Sequence, residues 1–393
     1  MKSLIPRLAK HPGQFEKLLR RNCVHFEAAG ITLCTSGSVA LTSFRIISTG
    51  RIDERESAFP QAVQLPDGDV LCSFSVGGGQ YVHGGTDWAR SHDGGETWQL
   101  EGQLLAASAE PPSANALKLS LSPDGRTIYA YGTRYWANKD DRFGERKGET
   151  VFCNSIDDGK TWSAPRTVPM PDCPIEVSHS LRPLASGRLL APGALLAEKD
   201  RLGEEVFVAV SDDGGVTWPD RRTVFRDPAG KLGFWEQKLA EIAPGKIMAA
   251  AWTVTLGDYR DQCNSFCISH DDGWTWGPHY STGIRGQTLS MLPLGSDRLL
   301  VLYNRRYGLQ GVVMALVTFT ETEWTVAEEG LLYDARGFRD GPDSGASGVD
   351  ELASFQFGFP TAIRLNDGTF LTTHWSVDQG VGGIRWTKLA VEW

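Results

Sequence analysis

The sequence lacks a stretch approaching the roughly 20 apolar residues of a membrane-spanning helix, so no span is expected. It also lacks a basic block. The net charge is −9, which argues against a nucleic-acid footprint. Cysteine is sparse: Cys23, Cys34, Cys72, Cys153, Cys173, Cys263 and Cys267 are odd in number and scattered. Only Cys263 and Cys267 lie close together, and no His or Cys partners fall at zinc-like spacing. They read as reduced core thiols, and no metal or cofactor is expected; the acidic Asp140-Asp141 loop matches no calcium-loop spacing. Charges at Lys2, Arg7 and Lys10 are not followed by the apolar core of a secretory leader. A soluble cytoplasmic protein is the expectation.

What the chain does have is turn formers and aromatics, with 44 Gly, 20 Pro and 13 Trp in 393 residues. That suits a turn-rich β protein with a large core. The organising feature is a repeat. Ser211-Asp212-Asp213-Gly214-Gly215-Val216-Thr217-Trp218 has counterparts at 91–98, 155–162 and 269–276, all of the form S-x-D-x-G-x-T-W. The Asp carboxylate of such a turn accepts backbone N–H groups, the Gly takes a dihedral unfavourable for other residues, and the Trp buries apolar surface. A fifth occurrence, 317–324, keeps only Trp324.

A second series interleaves with the first. Tight turns at 65–68, 122–125, 185–187, 243–245, 295–297 and 365–368 each separate two apolar runs, as hairpins do. Each unit therefore reads strand A, turn, strand B, variable loop, strand C, Asp-box turn, strand D. Repeated radially, that is a propeller blade, and six A–B turns predict an all-β, six-bladed β-propeller over 38–393. The last unit runs out of chain after its third strand. The alternating segment 38–48 is expected to complete it, joining both ends of the chain in one blade and removing an open edge. Residues 1–37 form a separate N-terminal segment with a short amphipathic helix at 11–22.

This topology places the Asp-box turns at the bottom and outside, so Asp93, Asp157, Asp213 and Asp271 are structural. Chemistry belongs where the A strands begin and the B–C loops converge. That face offers Arg55, His83, Asn115, Arg134, Glu176, His179, Glu236, Trp252, Gln287, Arg305, Arg306, Phe359 and His374. Carboxylate, imidazole, guanidinium and aromatic groups in one funnel are what a sugar site requires. Glu236 opens an apolar strand, where it points into the funnel. The plain alternatives are a solvated face for loop arginines and a satisfied core histidine for His374.

On these boxes the chain resembles the sialidase (neuraminidase) superfamily of Asp-box propellers over residues 38–393. The resemblance implies a glutamate at the start of the fourth blade, and Trp235-Glu236-Gln237-Lys238-Leu239 is similar to that segment. It also implies an Arg-Ile-Pro motif opening blade 1, where this chain has Ala58-Phe59-Pro60, with Arg55 three residues upstream. The tyrosine nucleophile falls at or near Phe359, which cannot act as one. The acid/base Asp belongs in the loop that here carries His83.

The reading that follows is a glycosidase of altered specificity acting on an acidic sugar. Catalysis is expected from Glu236, with His179 or His83 as proton donor. Arg55, Arg134, Trp252, Gln287, Arg305, Arg306 and Phe359 are expected to hold the substrate. A uronide lyase using His179 or His83 as base, and a non-catalytic binding propeller, are the alternatives. The expected partner is a small-molecule or oligosaccharide substrate, without nucleic acid or membrane.

Overall fold

The computed structural model of the chain describes residues 43–77, 84–136, 147–339 and 355–393. The segment 1–37 and the helix expected at 11–22 lie outside the described residues. Every regular element among the described residues is a strand, and none is a helix. The strands form six sheets.

β1 (Phe44–Asp53) is the first strand in the chain but belongs to the last blade. Blade 1 is β2 (Ala58–Gln64), β3 (Val70–Ser75), β4 (Thr86–Ser91) and β5 (Gln99–Leu105). Blade 2 is β6 (Ser113–Leu121), β7 (Ile128–Trp136), β8 (Lys147–Ser155) and β9 (Arg166–Thr167). Blade 3 has a divided inner strand, β10 (Ile175–Glu176) and β11 (Arg182–Pro183), then β12 (Leu189–Leu195), β13 (Val206–Ser211) and β14 (Asp220–Phe225). Blade 4 is β15 (Leu232–Ala243), β16 (Lys246–Thr255), β17 (Ser265–Ser269) and β18 (Tyr280–Ser281). Blade 5 is β19 (Gln287–Gly295), β20 (Arg298–Arg305), β21 (Gly308–Phe319) and β22 (Trp324–Arg339). Blade 6 is β23 (Phe357–Arg364), β24 (Phe370–Asp378) and β25 (Val381–Val391), completed by β1.

Central strands are sandwiched between neighbouring blades, so both faces are buried and the sequence reads as a continuous apolar run. Val206–Ser211 and Val70–Ser75 are buried at every position. The outermost strand β5 is largely exposed instead. Each fully buried Leu or Phe contributes roughly 1.5–3 kcal/mol, so it is the blade-to-blade layers, such as Leu71 and Trp88 against Leu117, Leu119 and Ile128, that hold the ring. Inner strands pack on one another around the axis, from β2 against β6 to β19 against β23 and β23 against β2.

Closure occurs as expected, with a shifted boundary. β1 pairs antiparallel with β25, Phe44 opposite Val391 and Asp53 opposite Ile384. The closing strand is therefore 44–53 rather than 38–48; residues 38–42 lie outside the described residues. The cause is that β1 is an edge strand whose middle is solvent-exposed, so hydrophobic alternation does not mark it.

The Asp boxes are turn devices. In the third box Asp213 accepts from Val216 N at 3.0 Å, Thr217 N at 2.9 Å and Thr217 Oγ1 at 2.6 Å, while Ser211 Oγ accepts from Gly215 N at 2.9 Å. The Thr217 hydroxyl and amide, with Ser211, push the Asp213 carboxyl down to about 2. The box glycines also bring each turn against the preceding blade. Gly95 faces Leu371, Gly159 faces Leu71 and Trp88, Gly215 faces Phe152 and Gly273 faces Leu190. The degenerate fifth position keeps Trp324 in the same role, its ring 5.4 Å from Phe266.

Candidate active site

Four inner strands carry a β-bulge at the same place. Two residues oppose one between Ala58 and Gln61, Trp235 and Lys238, Gln287 and Ser290, and Gly358 and Thr361. The first bulged residue in each is a non-glycine with positive φ: Phe59 at 58°, Glu236 at 50°, Thr288 at 51° and Phe359 at 51°. Such backbone costs on the order of 1–3 kcal/mol per residue and persists where the surroundings over-determine it. Bulges re-aim side chains, and here the re-aimed groups meet across blades. The Phe59 and Phe359 rings pack edge to face at 5.5 Å, and Thr288 Oγ1 donates to Glu236 Oε2.

Blade 3 departs further. β10 pairs with β12 only at Ile175 and Glu176, and β11 resumes pairing at Arg182. The intervening residues 177–181 carry Ser178 and His179. Glu176 Oε2 accepts the backbone N–H of Glu236 at 3.0 Å, which ties the blade 3 carboxylate to the bulge of blade 4. Two buried lysines complete the cluster. Lys118 of β6 donates to Val177 O at 2.8 Å and Ala116 O at 3.2 Å, and Lys238 of β15 donates to Ser178 O. Lys238 Nζ stands 3.8 Å above the Phe359 ring, and Lys118 Nζ lies 5.6 Å from it.

The electrostatics follow from burial. Desolvation pushes the Glu236 carboxyl up, and the neighbouring Glu176 charge pushes it further. Lys238, the Thr288 hydroxyl and Arg306 oppose that rise. Burial pulls Lys118 down to about 8 and lowers Lys238 as well, against the attraction of both glutamates. His179 is held neutral, because burial and the cations Lys238, Arg182 and Lys118 all disfavour its imidazolium. Its Nδ1 and one oxygen of Glu176 are buried without a hydrogen-bond partner.

Of the residues expected from the sequence, the axis gathers Glu236, His179 and Phe359, with Arg306 close enough to act on Glu236. His83 lies outside the described residues. His179, being neutral, has no imidazolium proton to give, so the donor role expected for it does not fit its surroundings. Arg55 is tied to Asp53 at 2.6 Å and Asp87 at 3.0 Å, and Arg134 to Glu149. Arg305 donates to Leu309 O at 2.9 Å. Trp252 is a core residue rather than a stacking platform. β16 runs on to Thr255, and the indole packs edge to face on Trp235 at 5.0 Å and donates to Asp261 at 2.7 Å. Asp261 also accepts from Gln287 Nε2 at 2.9 Å and from Tyr307. Gln287 Oε1 in turn accepts from Arg306 Nε at 3.0 Å, so Gln287 orients Arg306.

Lys118, Lys238 and Thr288 were missed by the sequence reading, which also left Glu176 without a role. The available signal was a lysine inside an apolar inner strand, as in Ala116-Leu117-Lys118-Leu119. A separate pocket of about 370 Å³ lies between the blade 4 Asp box and Glu321. There His270 and Lys246 are already paired with Glu321, at 3.0 Å and 2.6 Å, and Glu321 is the single carboxylate among the lining residues. The axis is the better site. Among the described residues no group of three or more His, Cys, Asp or Glu could hold a metal.

The fold and site together define a six-bladed Asp-box propeller with a carboxylate pair at its axis. The chain belongs to the BNR repeat-like domain family, which it matches over residues 88–371. It is 24% identical over 256 residues to a sialidase of Bacteroides fragilis (strain YCH46), covering 58% of this chain and 45% of that relative, so the chain spans less than half of its length. Among solved structures it is similar to a Dyadobacter fermentans protein of unknown function (TM-score 0.70, 21% identity, 90% of this chain and 100% of that one). It is also similar to the intramolecular trans-sialidase of Ruminococcus gnavus (0.60, 12%, 86% and 96%). The α-L-arabinanase of Penicillium chrysogenum, complexed with arabinobiose, matches at 0.60, with 14% identity over 88% and 98%. These likenesses concern the fold.

Proposed function

We propose that this propeller is a glycoside hydrolase whose chemistry runs on the Glu176–Glu236 pair rather than on a tyrosine nucleophile. The observation that carries the reading is the placement of both glutamates in one buried cluster, where the Glu176 carboxylate accepts the Glu236 backbone N–H at 3.0 Å and its charge raises the Glu236 carboxyl. Glycoside hydrolysis needs one carboxyl to protonate the leaving oxygen and one carboxylate to stabilise, or bond to, the anomeric carbon. Burial and the neighbouring Glu176 charge both raise the Glu236 carboxyl, which favours Glu236 as the group that carries the proton. Phe59 and the half-buried face around Ser178 and His179 supply the wall for a sugar ring.

An acidic sugar is the favoured substrate. Lys118, Lys238 and Arg306 surround the two glutamates, so an anionic sugar group would meet cations there. The sialidase relative agrees with that choice. A lyase is less well supported, since a base role for His179 would create an imidazolium beside two lysines and Arg182.

The test is a product assay on sialosides, related nonulosonic and octulosonic acids, uronides and arabinosides, comparing wild type with Glu176→Gln and Glu236→Gln. Each variant should lose at least about 10²–10⁴-fold in kcat, the usual share of general acid–base catalysis. The variant lacking the acid should retain more activity on substrates with good leaving groups. Wild-type turnover unaffected by either substitution would sink the assignment. Saturable binding without turnover on any substrate would instead mark a binding propeller, and ultraviolet absorbance of an unsaturated uronide would mark a lyase.

A further inference from the structure

We propose that Lys118 and Lys238 are positioning residues for the Glu176–Glu236 pair, clamping the broken inner strand of blade 3 from both sides and supplying the positive charge that faces both carboxylates. The inference rests on the glycosidase reading for its consequence in catalysis, and its geometry stands apart from that reading.

The break in blade 3 creates a backbone problem. Residues 177–181 leave the ladder, so the carbonyls of Val177 and Ser178 have no strand partner from β12. Buried backbone acceptors are nearly always satisfied. Here one lysine from each flanking blade satisfies them: Lys118 reaches Val177 O from blade 2, and Lys238 reaches Ser178 O from blade 4. Those carbonyls directly follow Glu176 in the chain, so the two clamps fix the segment that carries the carboxylate.

Position argues that the lysines are placed for this purpose. Lys238 is the first residue to re-pair after its bulge, opposite Ala250. The corresponding residues in blades 1, 5 and 6 are Gln61, Ser290 and Thr361, all uncharged. A neutral polar residue therefore suffices where the neighbouring inner strand is intact. Lys118 and Lys238 are only 3% and 2% exposed, and an ammonium so buried is costly unless paired. Each is compensated by a carbonyl, by the Phe359 ring and by attraction from both Glu176 and Glu236. The other charged or titratable groups facing the cluster are Arg306, which acts on Glu236, Arg182, which acts on His179, His179 itself and the Tyr131 phenol, on which Glu176 acts. The two lysines also repel each other. Arg306 remains when either lysine is removed, so the shift expected from one substitution is bounded.

The sign is fixed. Removing an ammonium beside Glu236 disfavours its ionised form, so Glu236 must titrate at higher pH. In Lys238→Met, the limb of the pH–kcat/KM profile set by Glu236 should move upward by about 1 pH unit or more, the size expected for a neighbouring opposite charge. Lys118→Met should move it in the same direction. The activity-independent readout is the carboxyl ¹³C NMR titration of Glu236, identified by its loss in Glu236→Gln. It should shift upward in each lysine variant.

A carboxyl shift in a protein that hydrolyses no glycoside would retain this inference and defeat the glycosidase reading. Hydrolysis with an unmoved carboxyl titration and an unmoved profile would overturn the inference and leave the glycosidase standing. Because either variant could misfold for want of a carbonyl donor, the wild-type ¹⁵N spectrum of the lysine side chains provides a check that needs no substitution. It should contain two ammonium signals titrating well below the rest. Those two signals should also show coupling across a hydrogen bond to backbone carbonyl carbons, and every lysine ammonium exchanging with water as an exposed group, with no such coupling, would overturn the proposal.

Discussion

Replacing Gly159 with alanine tests how the Asp boxes join the blades. Gly159 has φ of +85°, and an added Cβ would sit 2.8 Å from Leu71 Cδ2 and 3.4 Å from the Trp88 ring. Leu71 is fully buried on β3 of the preceding blade, so it has nowhere to retreat. Two costs add: about 1–2 kcal/mol for an L-residue in left-handed backbone and about 1–3 kcal/mol for overpacking. Gly187, in an A–B turn, separates them, because its φ of +90° is similar but no atom lies within 4 Å of an added Cβ. An unfolding entropy of roughly 2.1 cal/mol/K per residue makes each kcal/mol worth about 1.4 °C for a ring of this size. Gly187→Ala should then lower Tm by about 1–3 °C and Gly159→Ala by about 3–7 °C. Scanning calorimetry of the two variants, with Leu71→Ala and its double mutant with Gly159→Ala, reads the coupling directly. Equal losses in Gly159→Ala and Gly187→Ala, with no coupling to Leu71, would refute the claim that box glycines set blade-to-blade contact.

Two further outcomes follow from buried polar groups. His374 is 1% exposed, and burial together with Arg385 lowers it to about 3, against the pull of Asp378. Its folded value lies below its unfolded one of about 6.5, so its cost is absent above pH 6.5 and grows by roughly 1.4 kcal/mol per unit as the pH falls towards 3. His374→Phe should flatten that acid limb of stability, and an unchanged slope in chemical unfolding at pH 4–6 would contradict the assignment. Asp261→Asn should cost about 1–3 kcal/mol, because an amide cannot accept from Trp252 on one side and from Gln287 and Tyr307 on the other. A urea midpoint matching wild type would show that the network is not held by the carboxylate.

Legibility in the sequence tracks whether the signal is local. An Asp box is closed by hydrogen bonds among residues two to four apart, such as Ser211 with Asp213 and Asp213 with Thr217, so its meaning is carried by eight consecutive letters. The A–B turns are equally local, and together they were enough for blade number and order. β1 was misplaced because an exposed edge strand leaves no alternation to read. Glu236 was legible as an acid beside an apolar run, although it does not open the strand: β15 begins at Leu232 and Glu236 lies at a bulge within it. Lys118 and Lys238 were not, because a charged residue alternating with apolar ones reads as a solvated face. Ring closure alone turns that face into the floor of a site. Trp252 was misread for the opposite reason, since an aromatic near a variable loop reads as available until the strand is seen to run three residues past it.

The repeated bulge explains why one scaffold can hold such different side chains at its axis. Phe59, Glu236, Thr288 and Phe359 share a backbone conformation that none of them prefers, at a combined cost on the order of 4–12 kcal/mol. That sum approaches the whole net stability of an ordinary domain, about 5–15 kcal/mol. No local sequence preference can sustain it, since two phenylalanines, a glutamate and a threonine have no common preference for that backbone. The strain must be imposed by the ring, in which each bulged strand is held by its own sheet on one side and by neighbouring inner strands on the other. Because the conformation is set from outside, the side chain at the bulge is free to vary. The geometry of the site is thus a property of the propeller, and its chemistry is decided by four side chains and by whatever the broken strand of blade 3 adds. In this chain the broken strand adds Glu176, whose carboxylate accepts the backbone N–H of the acid at the fourth-blade bulge.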